Sequence, residues 1–88
     1  MPTKARNSIP IEVFQVYLNE KIEKYGSKEA VAIRMGISTR RLNEFLTGVR
    51  TDSRAKSGTI TKVSINVADR IAIKMGDHLI DIDESLYE

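Results

Sequence analysis

The amino-acid sequence predicts an all-α fold, a compact bundle of four to five helices with either a small β-wing or an extended loop after the third helix. Three observations carry this expectation. Apolar residues recur at steps of three and four in four separate stretches, each stretch closes on a glycine, and Ser or Asn stands at the N-cap position of three of them. The 88 residues are 41% apolar and 30% charged with only two prolines, a balance that places the whole chain in one folded domain, 1–88, and not in a disordered tail.

Residues 1–7 carry Lys4 and Arg6 without apolar periodicity and read as a flexible basic arm. From Ser8 onward Ile11, Phe14, Leu18, Ile22 and Tyr25 share one helical face; Pro10 is tolerated in the first turn, and Gly26 ends the helix. Ser27 caps a short second helix, Lys28 to Met35, that turns Val31, Ala32 and Met35 inward and breaks at Gly36. Ser38 caps a third helix running to about Leu46. Its inward residues are Leu42, Phe45 and Leu46, with Arg40, Arg41, Asn43, Glu44 and Thr47 outward and Gly48 at its end.

Residues 49–64 show no helical period and form a basic loop or a small hairpin. The β-branched run Thr59 to Ile65 suits an extended, wing-like ribbon. Asn66, with Asp69 three residues on, caps a fourth helix whose shared face is Val67, Ala68, Ile71, Ala72 and Met75, and Gly76 terminates it. The tail 77–88 alternates acidic residues with Leu79, Ile80, Ile82, Leu86 and Tyr87, too apolar for a solvated extension. It packs on the first helix or joins two copies in a homodimer; both readings stay open. No internal repeat is expected, and the pairs Met35-Gly36 and Met75-Gly76 read as helix ends without a shared surrounding pattern.

Net charge is only +2, but it is unevenly placed. Residues 1–62 hold twelve Lys/Arg against six Asp/Glu, whereas residues 63–88 hold two against six. A basic body can displace counterions from a nucleic-acid backbone, provided the acidic end is kept away from the phosphates. Other functions find little support. Without cysteine there is no disulfide framework, no thiolate metal site and no cysteine nucleophile, and a reducing cytoplasm suits the chain. His78, the single histidine, suits a surface or capping role at a helix end, and the acidic residues beside it lack the spacing of a calcium loop. No phosphate-binding glycine loop and no catalytic triad can be assembled, so neither an enzyme nor a cofactor or small-molecule substrate is expected. No apolar stretch reaches the length of a membrane span or signal peptide.

The segment Lys28 to Thr47 reads KEAVAIRMGISTRRLNEFLT. Ala32 is small where a second helix crosses, Gly36 supplies a tight turn, and Ile37, Leu42 and Phe45 lock the two helices at an angle. In this spacing residues 28–47 resemble the helix-turn-helix of phage repressors and Cro-like DNA-binding proteins. Val67 to Gly76 more loosely resembles the segment that follows the motif in small phage and bacterial regulators.

The resemblance implies a sequence-specific transcriptional regulator of double-stranded DNA, a repressor by default, with helix 38–46 in the major groove. Positions carried over from the family are Ser38, Thr39, Arg40, Asn43, Glu44 and Thr47 on the groove face and Lys28 at the phosphate-gripping end of the second helix. By chemistry, Arg40 fits the O6 and N7 of guanine and Asn43 fits adenine, while Arg41 reaches phosphate instead. Glu44 would be repelled by phosphates unless it accepts from cytosine or pairs with Arg40 or Arg41. Arg50, Arg54, Lys56 and Lys62, spaced through Thr and Ser, suit backbone contact. Two other readings share these residues: a helix-turn-helix module that docks on a host regulator or polymerase component, and a DNA-bending accessory factor of integration or excision.

Overall fold

The computed structural model describes residues 7–50 and 58–84. In chain order these form β1 (Ser8–Pro10), α1 (Ile11–Tyr25), α2 (Lys28–Met35), α3 (Thr39–Thr47), β2 (Lys62–Ser64), α4 (Ile65–Lys74) and α5 (Leu79–Ile82). The molecule is mostly helical with one small two-stranded sheet, so the all-α expectation holds in its main part and needs a correction at the start of the chain.

That correction is β1. The first helix begins at Ile11, not at Ser8, because Pro10 fixes its own φ and pushes Ile9 away from the helical region. Pro10 stands as N-cap with φ −55° and ψ 140°. The extended trio pairs antiparallel with β2, Ser8 opposite Ser64, Ile9 opposite Val63 and Pro10 opposite Lys62. Ile9 and Val63 are thereby both buried in the core. The β-branched run is extended as expected, but it completes a sheet with the N-terminal strand instead of standing free as a wing. Asn7 belongs to the folded body as well, its carbonyl accepting from the Ile65 N–H at 3.0 Å. The remaining arm residues, 1–6, lie outside the described residues.

The fourth helix also starts earlier than expected. Its cap is Ser64, whose hydroxyl oxygen accepts from the Val67 N–H at 3.3 Å, and Asn66 is exposed at the second position of the helix. The reason is tertiary: burying Ile65 against the core fixes the helix start directly after the strand.

At the helix ends, the structure overturns the expectation of no shared pattern. The Ile37 N–H reaches the Ala32 carbonyl at 3.0 Å, and the Asp77 N–H reaches the Ala72 carbonyl at 2.9 Å. Both are six-to-one closures of the kind that a left-handed glycine permits, with Gly36 at φ 71° and Gly76 at φ 77°. The flanking residues match too: Val31-Ala32-Ile33-Arg34-Met35-Gly36 against Ile71-Ala72-Ile73-Lys74-Met75-Gly76. In each helix the Val or Ile and the Ala are buried, and the next Ile and the cation are exposed. A window of six residues is too short to register as a repeat by sequence period alone.

One apolar cluster joins all the elements. Phe14, Leu18, Val31, Met35 and Leu42 fill its centre, together with Ile9 from the sheet and Ala68 and Ala72 from α4. Leu79 and Ile82 of α5 are buried against the same cluster, and α5 packs chiefly on α1 and α4. The described part of the tail therefore packs within its own chain. Leu86 and Tyr87 lie outside the described residues.

A polar tie fixes α1 to the end of α4. The Tyr17 hydroxyl donates to Asp77 Oδ2 at 2.6 Å, and Lys21 Nζ sits 2.8 Å from the same oxygen. The hydrogen bond from Lys21, with that from Tyr17, holds the Asp77 carboxyl below its ordinary range, while burial and the bond to Asp77 push the Tyr17 phenol well up. Because the Asp77 pKa falls on folding, its contribution is present above its unfolded pKa, near 3.8, and is lost as pH drops through the lower folded value. Tyr17→Phe is expected to lower stability by about 1 kcal/mol at neutral pH. Urea unfolding of the variant and the parent, repeated near pH 3, checks both statements; at that pH the gap should narrow, and an unchanged midpoint at neutral pH would contradict the tie.

Candidate nucleic-acid interface

The helix α3 is built from two opposite faces. Inward, Leu42 is fully buried and Phe45 is 3% exposed. Phe45 meets Phe14 edge to face, ring centroids 5.3 Å apart and planes at 89°, an arrangement that aromatic quadrupoles favour. Both ends are closed. The Ser38 hydroxyl oxygen accepts from the Arg41 N–H at 3.1 Å, as the sequence predicts for an N-cap. At the other end the Gly48 N–H closes on the Glu44 carbonyl at 2.8 Å with Gly48 at φ 72°, and the Thr47 hydroxyl donates to the Asn43 carbonyl at 2.9 Å.

The last turn has a further support that sequence reasoning did not find. Gln15 on α1 donates through Nε2 to the carbonyls of Phe45 at 3.0 Å and Leu46 at 3.1 Å. Carbonyls in a final turn lack helical partners, so one side-chain amide from a neighbouring helix satisfies two of them. A lone Gln at the edge of an apolar stripe carries no local signal of this role.

Outward, the side chains predicted for the site divide. Ser38, Arg40, Arg41 and Thr47 are exposed, and Thr39 and Asn43 are half-buried. Lys28 is exposed at the first position of α2, preceded by the Ser27 cap whose hydroxyl oxygen accepts from the Ala30 N–H at 3.1 Å. Arg41 leans away from the outer face: its guanidinium carbon lies 4.8 Å from the centre of the Phe45 ring and Nη1 is 4.0 Å from Glu44 Oε1.

Glu44 is the correction on this helix. It was expected outward, and it is 7% exposed. One turn after Arg40 and Arg41 and directly before Phe45, it sits at the border of the apolar face, where Arg41 supplies an opposite charge. The pairing with Arg41, one of the two partners the sequence offered, offsets the Glu44 charge toward an approaching anion. Leu46, expected inward, is only half-buried against the core.

Beyond α3 the chain turns back on itself. Val49 and Thr59 form an antiparallel bridge, with the Arg50 N–H donating to the Gly58 carbonyl at 3.0 Å and the Ile60 N–H to the Gly48 carbonyl at 2.7 Å. The sequence left loop or hairpin open for 49–64, and this segment has the base of a hairpin. Arg50 is exposed at that base and Lys62 on β2. Together with Arg41 they line a cleft between α3 and the sheet. Arg54 and Lys56 fall in residues 51–57, outside the described residues.

Among the described residues no group of His, Asp or Glu is placed to hold a metal ion, and no helix is long and apolar enough to cross a membrane. His78 stands at the N-cap of α5, where its backbone N–H donates to Asp81 Oδ2 at 2.8 Å. No protein-family model matches the chain, and no curated protein or solved structure shows significant similarity to it.

Gln15→Leu is expected to cost about 1–3 kcal/mol by leaving two part-buried carbonyls without a donor. Gln15→Glu, which cannot donate when ionised, should lose a comparable amount. Chemical denaturation reads this directly, and wild-type stability in both variants would show that α3 does not need the support.

Proposed function

We propose that the chain is a sequence-specific regulator of double-stranded DNA of the helix-turn-helix type, with α2 and α3 as the two helices of the motif and α3 entering the major groove. The single observation that carries this reading is the construction of α3, which is locked by Leu42, Phe45 and Gln15 on one side and presents Ser38, Arg40 and Asn43 on the other. The turn between α2 and α3 supports it: Gly36 is left-handed, a backbone conformation that favours glycine. Arg40 takes the bidentate contact to guanine and Asn43 the contact to adenine, while Lys28 and the N-terminus of α2 take phosphate.

Repression is the default consequence, because a protein bound over a promoter excludes polymerase, and it would act in the cytoplasm of a prokaryotic or phage-infected cell. Two copies on a palindrome would set their α3 helices about 34 Å apart, and one copy alone predicts an asymmetric site. A second reading, a helix-turn-helix module that docks on a protein, draws on Ile33 and Ile73, which are 79% and 65% exposed on α2 and α4.

Selection from random duplexes followed by footprinting tests the proposal and reports site symmetry. With about five phosphates neutralised per protomer, log affinity should fall against log salt with a slope near −4 to −5, and a slope near zero would end the nucleic-acid reading. Arg40→Ala should cost about 1–3 kcal/mol and relax preference at one base pair, whereas Lys28→Ala should weaken all sequences alike. Equal losses on every sequence for both variants would exclude base reading by Arg40.

A further inference from the structure

A cleft flanks α3 on the side of the sheet. Arg41, Arg50 and Lys62 stand around it, and Phe45, Val63 and Val67 line its walls. A second cleft shares Arg50, Lys62 and Ser64 with the first and continues along the sheet past Thr61 and Thr59 to Asn7 and Ser8. Together they make one trough from the flank of α3 across the β1–β2 edge. Among the described residues its polar lining consists of cations, hydroxyls and one amide, without a carboxylate. Among the described residues no carboxylate pairs with Arg50 or Lys62. Hydroxyl and amide donors interleaved with cations match phosphodiester oxygens, and the apolar walls offer nothing that would discriminate one base edge from another.

We propose that this trough seats the phosphodiester backbone of one DNA strand, with Arg41, Arg50 and Lys62 converging on one or two adjacent phosphates. The inference rests on the DNA-binding reading and divides two neighbouring arginines within it. Arg40 stays on the outer face of α3 and reads bases. Arg41, drawn over the Phe45 ring and toward Glu44, faces the trough and binds phosphate. Glu44 then has a purpose at the border of the core, steadying Arg41 without projecting charge toward the DNA.

The test uses the full chain and a short duplex taken from the selection experiment, with single phosphates replaced in turn by neutral methylphosphonate. Arg50 and Lys62 are both exposed, so Arg50→Ala, Lys62→Ala and the double variant should fold as the parent does. The double variant should make the salt slope shallower by about 2 while leaving the ranking of duplex sequences unchanged. Arg41→Ala should likewise weaken every sequence without changing the ranking. One or two adjacent methylphosphonates should weaken the parent strongly and the double variant, which keeps only Arg41 at those phosphates, much less. If the parent binds duplex DNA but the double variant keeps the parent's slope, or no phosphate position couples to it, the trough is overturned and the DNA-binding reading stands. A parent that binds no duplex overturns both.

Discussion

A helix of nine residues cannot hold itself together in water, because isolated helices below about 12–15 residues are marginal even with favourable sequences. α3 is such a helix, and its existence depends on what it buries. Leu42 and Phe45 each contribute on the order of 1.5–3 kcal/mol by leaving water, and the Phe14 ring gives Phe45 a directional partner. Caps at Ser38 and Gly48 and the amide of Gln15 then satisfy backbone groups that would otherwise face solvent or the core unpaired. With stability drawn from one face and the two ends, the other face is free to be chosen for chemistry, and there the chain places Arg, Ser and Asn.

Electrostatics are arranged around the same division. Among the described residues of the acidic C-terminal segment, Asp77 is tied to Tyr17 and Lys21 of α1, Asp81 accepts from the backbone of His78, and α5 packs chiefly on α1 and α4. Glu44, the one carboxylate on α3, is buried beside Arg41. The cations Arg40, Arg50 and Lys62 are exposed on α3, at the hairpin base and on β2. A small net charge is therefore compatible with a local cluster of exposed cations on this side of the molecule.

Much of this was legible in the sequence, for reasons that are local. The spans of α2 and α3, their serine caps and the glycines that end them follow from side-chain chemistry within a few residues, and so does the inward set Val31, Ala32, Met35, Leu42 and Phe45. What escaped depends on partners distant in sequence. Ser8–Pro10 is a strand only because Lys62–Ser64 lies beside it, and the α4 start at Ser64 follows from the burial of Ile65. Gln15 and Asp77 find their partners 30 and 60 residues away, and no periodicity foretells a single long-range hydrogen bond. Glu44 looked outward because it is charged; its place at the edge of the core became visible only with Arg41 folded over Phe45. On the candidate site, the exposed positions Ser38, Arg40, Arg41 and Thr47 of α3 and its cap were readable one by one, whereas the cleft that brings Arg41, Arg50 and Lys62 together needs the sheet.

The central claim is that the outer face of α3, with the cations that flank it, is the surface proposed to meet DNA. Amide and side-chain resonances of isotopically labelled protein titrated with duplex DNA test it most directly. The account predicts shifts concentrated at Ser38 to Asn43, Thr47, Arg50 and Lys62, with α5 and the outer side of α1 unchanged. Shifts confined to Val16 and α5, or to Ile33 and Ile73, or none at any duplex concentration, would contradict it.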